Sequence, residues 1–197
     1  RSSDLLMVRQ VSAFSFALKH QLRQGDAGAD LAVRLAPEVC ERLASQRFKP
    51  QGVLLAMAEA LAAARKAGAL DDWQMLAIDR NLNALADASG ACERIASTPI
   101  PYTYRVLMNR TVMIYCLLLP IGLAPTTGWV TPLIATFVAY TFLALEMIGE
   151  QIEEPFGTEP NDLALDAICH TIEVSVCEMA GVAPLGTAPV VKDFVLT

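Results

Sequence analysis

Two charged side chains stand alone in a long apolar block: between residues 106 and 148 the only charged residues are Arg110 and Glu146. A lone charge in hydrocarbon is costly, so such groups pair with one another or face water. Arg110 lies five residues after Arg105, and Glu146 four residues before Glu150. In an antiparallel hairpin these positions fall at similar depths, which predicts that Arg110 and Glu146 approach directly or through a polar bridge. The competing arrangement has Arg110 snorkelling to the interface while Glu146 faces an aqueous vestibule or a neighbouring subunit. Elsewhere, groups suited to reaction chemistry are sparse. His20 and His170 are far apart, have no second-ligand pattern, and read as structural. The cysteines (Cys40, Cys92, Cys116, Cys169, Cys177) are five in number and contain no C-x-x-C pair. That pattern suits reduced thiols rather than disulfides or a zinc site. There is no Ser-His-Asp arrangement, phosphate-cradling glycine loop or H-E-x-x-H. The sequence therefore predicts neither an enzyme nor a bound cofactor.

The apolar block sits in a chain of 197 residues that is 54% apolar and only 18% charged. Ordinary soluble domains carry about 25% charged residues. The net charge of −6 leaves no basic stripe to neutralise phosphates, which argues against a nucleic-acid partner. The chain opens on Arg1, Ser2 and Ser3 with no visible signal peptide. The expectation is that the N-terminal part of a longer protein precedes it.

Helices are expected around this block. Residues 4–23 read as an amphipathic helix with Lys19, His20 and Arg23 at its C-terminal end, where the helix dipole favours cations. A shorter helix over 30–46 is interrupted by Pro37. Pro50 opens a helix that Gly68 closes, and Asp71 caps another that runs to about Ile95. Pro99 and Pro101 then break the chain. Residues 106–124 span roughly 28 Å as a helix and residues 129–148 roughly 30 Å, matching a hydrocarbon core about 30 Å thick. The turn between them is placed at 125–128. Asn161 or Asp162 is expected to cap the next helix, which runs to about Met179. From Gly181, with Pro184, Gly186 and Pro189, the tail reads as a loose or docked strap.

The predicted class is thus all-α: a membrane helical hairpin with flanking cytosolic helices. Residues 1–98 form a cytosolic region, 99–149 the hairpin, 150–180 a cytosolic helix after the turn at Pro155 and Gly157, and 181–197 the tail. Arg94 and Arg105 precede the first span, Arg110 lies near its start, and the hairpin turn carries no Lys or Arg. The positive-inside rule puts both flanks in the cytoplasm of a multi-pass inner-membrane protein. Tyr102, Tyr104 and Trp129 lie near span ends, where interfacial aromatics belong.

Two stretches resemble the bestrophin family, and within it the bacterial branch. One is Cys92, Glu93, Arg94 and Ile95, followed by Thr98, Pro99, Ile100, Pro101, Tyr104, Arg110, Thr111 and the run 119–123. The other is Thr131 and Pro132, the run 140–145, and the P-F-G-x-x-x-N-D-L motif at 155–163, with 165–169 beyond it. The resemblance implies a homopentameric ion channel with four membrane helices per subunit. Small inorganic ions, chloride or sodium, would pass passively down the five-fold axis. Partners would be other copies of the chain and membrane lipid. Animal members are calcium-activated anion channels, and characterised bacterial relatives include cation-conducting ones. The first two membrane helices of the family, including the one lining the hydrophobic neck, have no counterpart here.

The same resemblance implies sites. One apolar side chain per subunit near the T-P-I-P break forms a cytosolic constriction. Ile95 is the first candidate, Ile100 the second, and Thr98 a third if the alignment slips. Gln151, Glu154, Glu159 and Asp162 stand where animal relatives hold calcium, and calcium takes six to eight oxygens. Pro160 interrupts that acidic run, Glu154 replaces an amide, and the alternative is plain helix-end chemistry. A non-conducting inner-membrane scaffold or assembly protein of the same fold is the other functional reading.

Overall fold

The computed structural model describes residues 2–98 and 101–189, with side chains from Leu5 onward. Among these residues only helices form: α1 (Ser2–Leu22), α2 (Gly28–Arg34), α3 (Pro37–Ala44), α4 (Lys49–Lys66), α5 (Asp72–Ser97), α6 (Tyr102–Thr127), α7 (Thr131–Glu153) and α8 (Leu165–Ala180). The all-α class expected from the sequence is the class observed. The chain divides into two compact units: Ser97–Pro155 makes one, and the flanking chain on both sides makes the other.

In the flanking unit, α1 packs against α2, α4 and α8. Its small residues Ala13 and Ala17 are fully buried beside Phe14. Around them close Ala27, Leu31, Leu35, Leu43, Val53, Met57 and Leu61. The α5 helix adds Met75, Ile78, Leu82 and Leu85, an apolar seam at three- and four-residue spacing. Gly52 sits where α3 meets α4, and a Cβ there would strike Leu43 and Gln46.

Local sequence explains the helix ends. Pro37 divides the expected 30–46 helix because the residue before proline is driven out of the helical region. Ala36 is indeed extended, and Pro37 opens α3. Asp71 caps α5 reciprocally: its Oδ1 accepts Gln74 N–H at 2.7 Å, and Asp71 N–H donates to Gln74 Oε1 at 3.1 Å. Gly181, with φ +68°, closes α8 in the left-handed conformation that glycine tolerates.

The expected cap of α8 is corrected. Ala164 precedes the helix without a side-chain cap. Asp162 instead turns its carboxylate onto Glu159 N–H at 2.7 Å, closing the tight turn around Pro160. That turn consumes the acceptor before the helix begins.

Charge pairs fasten the early helices to α8. The Arg34 guanidinium grips Glu173 bidentately, Nε to Oε1 at 2.8 Å and Nη2 to Oε2 at 3.0 Å. Glu173 is wholly buried and Arg34 nearly so. Gly186 N–H adds a bond to Glu173 Oε2, and the guanidinium stacks 3.6 Å from the Phe16 ring centroid. Lys19 Nζ bridges Asp30 at 3.3 Å and Asp166 at 2.8 Å. His20 Nε2 lies 2.7 Å from Asp30 Oδ2. Burial pushes the Asp30 carboxyl up, but the His20 hydrogen bond, with Lys19 and Arg34 nearby, outweighs it and holds the group below its ordinary 3.8.

In the Ser97–Pro155 unit, α6 and α7 pack together as a hairpin. Tyr115 meets Phe142 edge-on at 5.4 Å between ring centroids. The stretch Tyr102–Glu153 is long and apolar enough to cross a membrane, and none of its most apolar window is buried within the subunit. The turn lies later than expected. The α6 helix runs on through Pro125 to Thr127, and the reversal falls on the 3₁₀ turn Gly128–Val130. Pro125 supplies no N–H to the Ile121 carbonyl, yet the helix continues for two residues past it. The Thr126 and Thr127 hydroxyls both donate to Leu123 O, reinforcing that last turn. Thr127 and Thr131 hydroxyls then clasp the reversal at 2.7 Å.

Replacing Arg34 with Met or Glu173 with Leu in the full-length protein is expected to destabilise it by about 3–5 kcal/mol, because either change strands a buried charge. The double replacement is expected to cost less than either single one. Denaturant unfolding in detergent, followed by circular dichroism, checks both. Asp30 gives a pH test. Its folded value lies below 3.8, so its contribution is complete above that pH and is lost as pH falls through the folded value. Asp30→Asn is expected to lower the unfolding midpoint at pH 7 and to remove that share of the acid sensitivity in a thermal series.

Candidate functional site

The site builds from the last turn of α5. Ile95 is 54% exposed there, so the subunit's own core leaves it unused. Glu93, two residues earlier, does the opposite. Its Oε1 accepts Gln51 Nε2 at 2.7 Å, Gln21 Nε2, and the Ser89 hydroxyl at 3.5 Å. These partners lie on α4, α1 and α5 itself. Residues two apart on a helix differ by about 200° in direction. With Glu93 pinned inward, Ile95 is turned outward. The sequence reading named Ile95 and missed Glu93 as the group that orients it. An acidic residue two positions before an exposed apolar one was the available signal.

Thr98 follows α5 and is exposed. Ile100 lies outside the described residues. Chemically, an outward isoleucine at a helix end offers dispersion contact and a barrier to water, and nothing that reacts.

Among the described residues no hydrogen bond or ion pair joins Arg110 to Glu146. The cross-hairpin contact forms instead at Arg105, whose Nη1 lies 3.6 Å from Glu150 and 3.7 Å from Glu153. Depth was the right coordinate, since Arg105 and Glu150 do meet. Rotation was the neglected one. Five residues carry a helical side chain about 140° around the axis, so Arg110 leaves the face on which Arg105 sits and is exposed. Glu146 is half-buried.

Of the acidic group, Asp162 is bound to the Glu159 backbone as described, and Glu154 is exposed. No three His, Cys, Asp or Glu side chains gather as a metal site among the described residues. The loop that follows α7 is gripped by Arg23, which donates to Phe156 O, Leu163 O and Asp166 Oδ2. Sequence reasoning saw Arg23 only as a dipole-favoured cation.

The cysteines are unbonded to one another. Burial pushes the Cys169 thiol up to about 11, and its S–H donates to Ser15 O at 3.3 Å. Burial likewise raises Cys40 and Cys177. Thiols held protonated in this way pack rather than react.

Residues 1–178 match the family model of bacterial and fungal bestrophin proteins. A voltage-dependent anion channel-forming protein of Ralstonia nicotianae is 43% identical over 189 residues, covering 96% of this chain and 62% of its own length. A protein of the same description from Escherichia coli K12 is 38% identical, covering 85% of this chain and 55% of its own. This chain therefore spans about three fifths of the length of the curated relatives it matches. Among solved structures, a bacterial bestrophin homolog from Klebsiella pneumoniae superimposes with a TM-score of 0.89 at 38% identity, over 93% of this chain and 68% of that one. An unburied apolar hairpin, the outward Ile95 beside the anchored Glu93, and a match along nine tenths of the sequence point the same way: the chain is a member of the bacterial and fungal bestrophin family.

Proposed function

We propose that the chain is a subunit of an ion channel that passes small inorganic anions passively through a pore on a five-fold axis. The observation that carries this reading is the 43% identity, over nearly the whole chain, to a protein described as forming a voltage-dependent anion channel. The unburied apolar stretch Tyr102–Glu153 supports a multi-pass protein of the inner membrane. The chain before Ser97 and after Pro155 folds into one unit, which supports both ends of the hairpin leading to the same, cytoplasmic, compartment.

In this reading Ile95 lines the cytosolic constriction, one copy per subunit. A ring of isoleucines has no dipole to replace an ion's hydration shell and gates by excluding water. Ile100 and Thr98 are the second and third candidates for the same constriction. Ion movement down the axis needs no turnover chemistry, and the protonated thiols and engaged carboxylates described above are consistent with that.

Chloride efflux from liposomes carrying the full-length protein tests the reading. Ile95→Ala is expected to speed efflux, because a smaller side chain widens and wets the ring. An unchanged rate with normal assembly would make Ile95 ordinary packing. Mass determination in detergent is expected to give five subunits, and a stable monomer would count decisively against the axial pore.

A further inference from the structure

The loop between α7 and α8 carries the P-F-G-x-x-x-N-D-L run, and one side chain from the other end of the chain holds both its ends. Arg23, just past α1, donates Nε–H to Phe156 O at 3.2 Å, Nη2–H to Leu163 O at 3.2 Å and Nη1–H to Asp166 Oδ2 at 2.8 Å. Two backbone carbonyls and one carboxylate, three to ten residues apart along the chain, thus converge on a single guanidinium whose side chain is 14% exposed. Lys19 Nζ takes the second carboxylate oxygen of Asp166 at 2.8 Å. Within the loop, Glu159 and Asp162 satisfy each other, Asp162 N–H donating to Glu159 O at 3.0 Å and Glu159 N–H to Asp162 Oδ2.

Carbonyl and carboxylate oxygens converging on one point are the donors a hard divalent cation takes. Here they are already taken. A calcium ion could use these oxygens only by expelling Arg23. It would then face the Lys19 ammonium across Asp166, a like charge in a partly buried setting. Within the loop, the Asp162 carboxylate is committed to a backbone N–H. The residues present therefore do not fit a calcium clamp at this loop.

We propose that Arg23 is the resident cation of the loop: its guanidinium replaces a metal ion and closes residues 156–166 with three charge-assisted hydrogen bonds, so the loop's closed form does not depend on calcium. The choice of arginine follows from geometry. Three acceptors lie in different directions around the group, and a planar fork with five donors serves them where a single ammonium point does not.

Hydrogen exchange on the full-length protein in detergent tests this, following peptides that cover residues 157–165. Wild-type exchange is expected to be the same in millimolar calcium and in chelator. Arg23→Gln is expected to speed exchange of those peptides at least about tenfold, the scale of losing hydrogen bonds to a charged group, with peptides from α4 unchanged. Arg23→Lys is expected to fall between the two, and methylguanidinium to slow exchange in Arg23→Ala. Calcium-dependent protection of the wild-type loop would overturn the proposal, as would an unaltered loop in Arg23→Gln. If the glutamine variant does not assemble, the calcium comparison and the lysine variant decide the matter. None of these readouts involves ion flux, so their failure leaves the channel reading standing, and the failure of that reading leaves them intact.

Discussion

The flanking unit depends on charge pairing between segments about 140 residues apart. The Arg34–Glu173 pair is buried and bidentate, and Lys19 and Arg23 both reach Asp166. A buried pair of this kind adds little net stability over apolar packing, but leaving either partner alone is heavily penalised. Its effect is therefore on which arrangement forms. Helix α8 has one register against α1 and α2 that satisfies Glu173 and Asp166 together. Sliding by one turn would strand both. Because α8 follows the hairpin in the chain, this register also fixes where the polypeptide re-enters the unit after α7.

The same economy of charge explains the rest of the unit. Several of its carboxylates are spent internally: Asp30 on Lys19 and His20, Asp162 on the Glu159 backbone N–H, and Glu93 on two glutamines and a serine. Ile95 is apolar and outward-facing, and Glu93, two residues before it, fixes the helix phase.

How much of this was legible depended on the range of the interaction. The α2–α3 break at Pro37, the Asp71 cap and the Gly181 stop are each decided within a few residues, and the sequence states them directly. The apolar block was legible because composition alone marks it. The Arg34–Glu173 pair was not, because nothing local to either residue separates a buried partner from a solvated helix face. The hairpin charges show a subtler limit. Sequence spacing placed Arg105 near Glu150, but Arg110 lies on another face of the same helix, and depth without rotation does not predict contact. The reversal at Gly128 rather than at Pro125 is similar: proline near a helix end is compatible with helix, so the residue signals a break without locating it. For the candidate aperture, the family motif named the residue and only the structure supplied its orientation.

The central functional claim is selective, passive passage of anions. The most direct test is the reversal potential of the full-length protein in a planar bilayer with sodium chloride concentrated on one side. An anion-selective pore gives a reversal potential displaced toward the chloride equilibrium potential. Displacement toward the sodium equilibrium potential would contradict anion selectivity, and the absence of any current from correctly assembled protein would contradict the channel itself.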